Sequence, residues 1–145
     1  MISFHTQNIE FNIKNKRILK NWIKQVIVEC KKRVGDLNII FCSDSDILKI
    51  NNEFLQHNYY TDIITFDYCE EEIISGDLYI SIDSVRINAK DYEQTFENEL
   101  HRVIIHGILH LCEYDDHNEE DIKLIREAEN NALSLLRGLI EIPQR

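Results

Sequence analysis

Proline occurs once in this 145-residue chain, at Pro143, and glycine only four times. No Pro/Gly-rich linker or internal repeat divides the sequence, so residues 1–145 are expected to form one domain, a normal length for a single hydrophobic core. No apolar run approaches the ~20 residues that a membrane span needs. The opening stretch MISFHTQNIEFNI lacks a basic region followed by an apolar one, so neither a signal peptide nor a membrane partner is expected. Cys30, Cys42, Cys69 and Cys112 form no CxxC pair, which argues for reduced thiols in a cytoplasmic protein. No dinucleotide cofactor is expected.

Basic residues are outnumbered as well. The formal net charge of -10 speaks against a nucleic-acid partner. Its distribution weakens that argument. Residues 14–33 carry eight Lys and Arg against Glu29 alone, a local +7 in an acidic chain. Such asymmetry marks either a phosphate-binding face or simply a solvated helix face.

The pattern of elements is mixed. ISFHTQNIEFNI reads as strand material. NKRILKNWIKQVIVECKKR places Ile18, Leu19, Trp22, Ile23, Val26 and Ile27 at helical spacing, with Lys16, Arg17, Lys20 and Lys24 on the outer face. Gly35 and Asp36 read as the end of that helix. LNIIFC reads as a buried strand, SDSDILKINNEFL as a capped helix, and TDIITFDY and GDLYISID as strands. Helices are expected from about Ser84, from about Phe96 to Leu111, and from about Glu119 to Leu136. The fold class is therefore α/β (α+β): a small mixed sheet of about four strands packed with about five helices.

The stretch HGILHLCEYDDH, residues 106–117, lies at the end of the long helix. His106 and His110, at i and i+4, share one face and can hold a zinc ion between them. A straight helix cannot bring in a third ligand from position 116 or 117, because His117 would lie ~10 Å beyond His110. The helix must end near Cys112–Tyr114 and the chain must fold back. Asp116 and His117 are then both candidates for the third ligand. Glu113 would join only if the helix ran a turn further. Cys112 and His101 project elsewhere.

HGILHLCEYDDH resembles the HGxLHLxGYDH signature of the YbeY family, bacterial endoribonucleases of ribosomal RNA maturation. INNEFLQHNYYTDIITFDY is similar to that family's LNxxYRxxDxPTDVLSFP segment, and SGDLYISIDSVRINA to its GDIxIxxxxxxxxA segment. The three blocks occur in the family's order and spacing. The resemblance implies one zinc ion in an HxxxHxxxxxH site at the end of a helix lining a cleft. It also implies cleavage of single-stranded RNA, with 16S rRNA 3′-end processing and ribosome quality control as the task and the small ribosomal subunit as partner.

Several positions depart from the family pattern. Its third histidine falls on Asp116, with His117 one residue later. Its glycine before the tyrosine is Glu113. Its arginine, expected to hold a phosphate, is Leu55, and His57 is the nearest replacement. Its Thr-Asp pair is kept as Thr61 and Asp62, which makes Asp62 a candidate cleft residue beside a plainer role in a turn. Gly107 occupies the place where a zinc peptidase of the HExxH type carries its glutamate. The alternatives to an endoribonuclease are a ribosome-biogenesis factor with a structural zinc and a peptidase-like zinc hydrolase.

Overall fold

The computed structural model describes residues 1–55 and 62–141, the side chains of 54 and 55 excepted. Tyr60, Thr61 and the candidate catalytic His57 lie outside the described residues. The element order is β1 (Ile2–Thr6), α1 (Lys16–Glu29), β2 (Arg33–Cys42), α2 (Asp44–Ile50) with a π-helical turn Asn51–Leu55, β3 (Ile63–Asp67), β4 (Ile73–Ser81), α3 (Ile82–Asp91), α4 (Phe96–Leu111) and α5 (Glu119–Glu141). Four strands form one sheet in the order β1-β2-β4-β3. The first three in that row are parallel, and β3 pairs antiparallel with β4 at one edge. The α+β mixture read from the sequence is therefore the fold.

Alternation along the strands sorts the two faces of the sheet. Leu37, Ile39 and Phe41 of β2 and Ile74, Leu78 and Ile80 of β4 join the main core with α1, α4 and α5. The other face holds a smaller cluster, Cys42, Ile47, Ile50 and Ile64, under α2. Helix α4 runs through the middle of the main core. Thr95 caps its first turn by accepting the Asn98 N–H at 3.0 Å. Gly107 lets it approach the sheet, since a Cβ there would lie 2.7 Å from both Ile63 Cδ1 and Leu78 Cδ2.

Several boundaries differ from the sequence reading, α5 running on to Glu141 among them. Strand β1 covers only the first part of ISFHTQNIEFNI. Helix α1 stops at Glu29, where Lys31 takes the left-handed conformation with φ 63, so Gly35 and Asp36 do not end a helix but lie inside β2. Gly35 sits at a register shift between Val34 and Leu37 and packs directly on Ser75 and Ile73 of β4. Helix α3 starts at Ile82, two residues before Ser84, because Ser81 caps it by accepting the Ser84 N–H.

Candidate metal centre

The end of α4 decides which residue comes to face the histidine pair. Glu113 donates its N–H to His110 O at 3.1 Å, and Tyr114 donates to Leu109 O at 3.0 Å. This pair of bonds is the Schellman closure of a helix, and Tyr114 adds the apolar contact that usually accompanies it. The closure needs a left-handed residue where glycine is customary, and Glu113 supplies it with φ 78. That conformation costs an L residue about 1–2 kcal/mol. The Glu113 carboxylate is aimed away from the histidines, toward Lys32 Nζ at 3.4 Å. The turn is thus made without a glycine and without an inserted residue.

The chain consequently returns with Asp116 facing the histidine pair. The Nε2 atoms of His106 and His110 are 3.0 Å apart, and Asp116 Oδ2 lies 3.6 Å from His110 Nε2. Ligand atoms of His106, His110 and Asp116 all fall within 4.8 Å of one another. Two imidazole nitrogens and a carboxylate oxygen turned toward one point suit a divalent metal ion. His117 is exposed and contributes no atom to the group, and Glu113 likewise stays outside it.

His106 is steered from behind. Glu129 of α5 accepts from His106 Nδ1 at 2.6 Å, which places the proton on Nδ1 and leaves the Nε2 lone pair facing the site. Burial pushes His106 down, but the Glu129 carboxylate outweighs it and raises His106 overall. Burial and the neighbouring His106 lower His110. The Tyr114 backbone and the Asp116 carboxylate work the other way on His110, favouring its protonated form. Glu129 is itself 3% exposed; burial pushes its carboxyl up, and the bonds from His106 and Arg102 hold it below the usual range. Arg102 Nη1 donates to Glu129 Oε1 at 2.9 Å, and Arg102 Nη2 donates to Asn130 Oδ1 at 2.8 Å.

Glu129 was not singled out in the sequence, yet a signal was there. In α5 it falls on the apolar stripe of Ile125, Ala132, Leu133 and Leu136, where a carboxylate must have buried partners. Glu99 on α4 is a second case, buried among Leu100, Val103 and Ile104. Burial and the nearby Asp62 carboxylate raise its pKa.

The cluster separates two lobes of a cleft. One, about 580 Å³, is lined by Asp62, Glu99, Arg102, Arg126 and Glu129 among others. The second, about 490 Å³, runs along Thr65, Asp67 and Leu111. His106, Asp116 and Asp62 line both. Gly107 does not, since it is turned to the sheet, so even a glutamate at that position would point into the core. His101 lies in the core instead, edge-on to Trp22 at 6.1 Å between ring centroids, and Cys112 is buried there too. Lys16, Arg17, Lys20 and Lys24 are exposed on α1, opposite its buried stripe.

Comparison with known proteins agrees with this geometry. A family model described as Endoribonuclease YbeY matches residues 1–137. The protein named Endoribonuclease YbeY from Phocaeicola vulgatus is 52% identical over 94% of this chain and 99% of its own length. The one from Bacteroides thetaiotaomicron is 47% identical over 92% of this chain and 98% of its own. A solution structure of a Thermotoga maritima protein, 29% identical, superposes with a TM-score of 0.69 over 95% of this chain and 90% of that one. With the family model spanning nearly the whole sequence and about half of all residues shared with such relatives, the chain belongs to the endoribonuclease YbeY family.

Proposed function

We propose that this protein is a metal-dependent endoribonuclease that cleaves single-stranded RNA. We further propose that it holds one zinc ion on His106, His110 and Asp116, and acts in the cytoplasm on the 3′ end of 16S rRNA and in quality control of the small ribosomal subunit. The observation that carries the reading is the convergence of the two imidazole Nε2 atoms and the Asp116 carboxylate in a cleft, inside a chain of this family. A zinc ion bound there would leave a coordination position open for a water or a phosphoryl oxygen, bringing the pKa of the water toward ~7. The protein's part is to hold the ligands. Glu129 keeps the proton on His106 Nδ1, so that Nε2 faces the site. Asp62, on the wall common to both lobes, is the candidate proton acceptor. The packing of Gly107 against Leu78 and Ile63 removes any place for a peptidase glutamate beside His106. The testing experiment incubates the purified protein with single-stranded and duplex RNA, before and after chelation. Cleavage of the single strand that disappears with the metal and returns with zinc is expected. A metal-bearing protein that cleaves no RNA would instead fit a structural zinc in a biogenesis factor.

Asp116 and His117 give contrasting predictions. Asp116→Ala is expected to weaken zinc by at least about tenfold, the lower end of the cost of losing even a ligand's hydrogen-bond partner. His117→Ala is expected to change it far less. Zinc titration of the two variants against a competing chelator checks this, and the reverse order would mean that the turn slips to present His117.

The exposed cations of α1 are the proposed track for more distant phosphates. Reversing Lys16, Arg17, Lys20 and Lys24 to Glu is expected to weaken single-stranded RNA binding by about tenfold or more at ~0.1 M salt, since each phosphate contact adds to the salt-dependent part of the affinity. Unchanged binding would make that face a solvated one.

A further inference from the structure

We propose that the larger lobe of the cleft is a nucleotide subsite, in which Arg126 binds a phosphate and Tyr92 stacks a base adjacent to the scissile bond. The inference rests on the RNA-cleaving role proposed above and adds the residues that seat the strand. Four carboxylates, of Asp62, Glu99, Asp116 and Glu129, line this lobe, so a polyanion entering it needs a cation with donors to spare. Arg102 has few to offer, for its two Nη groups are bound to Glu129 and Asn130 and its side chain is 24% exposed. Arg126 is different. Its ion pair with Glu129 runs from Nε at 3.9 Å, which is beyond hydrogen-bond length. Its side chain is 63% exposed on the same lobe. Glu129 therefore biases the guanidinium toward the cleft without occupying its planar fork, the part that matches a phosphodiester.

The apolar half of the subsite lies at the end of α3. Tyr92 caps that helix and is 65% exposed, yet it lines the lobe that holds Arg126. Ile122 of α5, also exposed, lines it as well. An exposed ring and an exposed cation lining one lobe are the combination that single-strand binders use. Stacking accepts any base, and the guanidinium follows the backbone. The two lobes meet at His106 and Asp116, so a strand whose scissile phosphate rests there would place its neighbouring nucleotide against Tyr92 and Arg126.

A short 2′-O-methyl oligoribonucleotide, which cannot be cut through its own 2′-hydroxyl, is the binding probe, read by fluorescence anisotropy at several salt concentrations. Tyr92→Leu and Arg126→Gln are each expected to weaken binding about tenfold. Arg126→Gln should also lower the slope of log K against log salt by about 0.7, the value of one single-strand phosphate contact, whereas Tyr92→Leu should leave the slope alone. Metal content should stay at the wild-type level in both. Wild-type affinity and slope in the variants, with a wild type that binds and cleaves single-stranded RNA, overturns the subsite alone. Weakened binding that comes with loss of metal also overturns it, by making the effect structural. A wild type that neither binds nor cleaves such RNA overturns the underlying reading and the subsite with it.

Discussion

His110→Ala is expected to purify with little or no metal and to lose RNA cleavage by a factor on the order of 10²–10³ or more, the scale on which removal of a single group that stabilises transition-state charge already acts. The expectation rests on the 3.0 Å separation of the two Nε2 atoms, which leaves one ligand site between them and makes neither imidazole sufficient. The fold should survive, because His110 is only partly buried and the carboxylate it leaves behind, Asp116, is exposed. Metal analysis, thermal melting and the single-stranded RNA assay, run in parallel with wild type, separate these outcomes. A variant that keeps full metal occupancy would place the ion elsewhere, and one that loses metal while cleaving normally would detach the chemistry from this cluster.

The second large effect is expected at Glu129. Glu129→Ala removes the anion that meets His106 and Arg102 and lies near Arg126. Breaking a buried ion pair from one side costs about 3–5 kcal/mol, and the partial exposure of Arg102 moves the expectation to the lower end of that range. Zinc affinity should fall about 10–100-fold as well, because His106 loses the partner that sets its tautomer. Denaturant unfolding of the metal-free protein measures the first quantity, and zinc titration the second. Glu129→Gln, which retains an acceptor for His106 Nδ1 but not the charge, should recover part of the zinc affinity and less of the stability. Wild-type zinc affinity in Glu129→Ala would show that His106 needs no support from α5.

Much of the fold was legible, for identifiable reasons. Helix α4 reads from Phe96 to Leu111 because Thr95 caps it and the next polar run stops it, and both signals are local. The end of α1 misled, because Gly35 looks like a helix terminator and acts in a strand, where β4 presses against it. Only the partner strand reveals that. That His106 and His110 share a helix face was readable from their i, i+4 spacing. The choice between Asp116 and His117 was not, since it depends on whether Glu113 would accept a left-handed backbone. The ion pair with Lys32, from a loop some eighty residues earlier, is among the interactions that accompany that conformation. Glu129 was marked by its place on the apolar stripe of α5, but its partners His106 and Arg102 lie on another helix and only the packing of the two names them.

That the carboxylate behind His106 comes from α5 also orders events in time. Synthesis is vectorial, and Glu129 follows His106 by 23 residues. At about 5–20 residues per second, the histidines precede their anchor by roughly 1–5 s. During that interval the nascent chain carries two adjacent imidazoles with no buried anion to fix a tautomer, and the cleft lacks the wall that α5 provides. The support for His106 therefore arrives with α5, so a truncated product ending before Glu129 would carry the histidine motif without the assembled cluster.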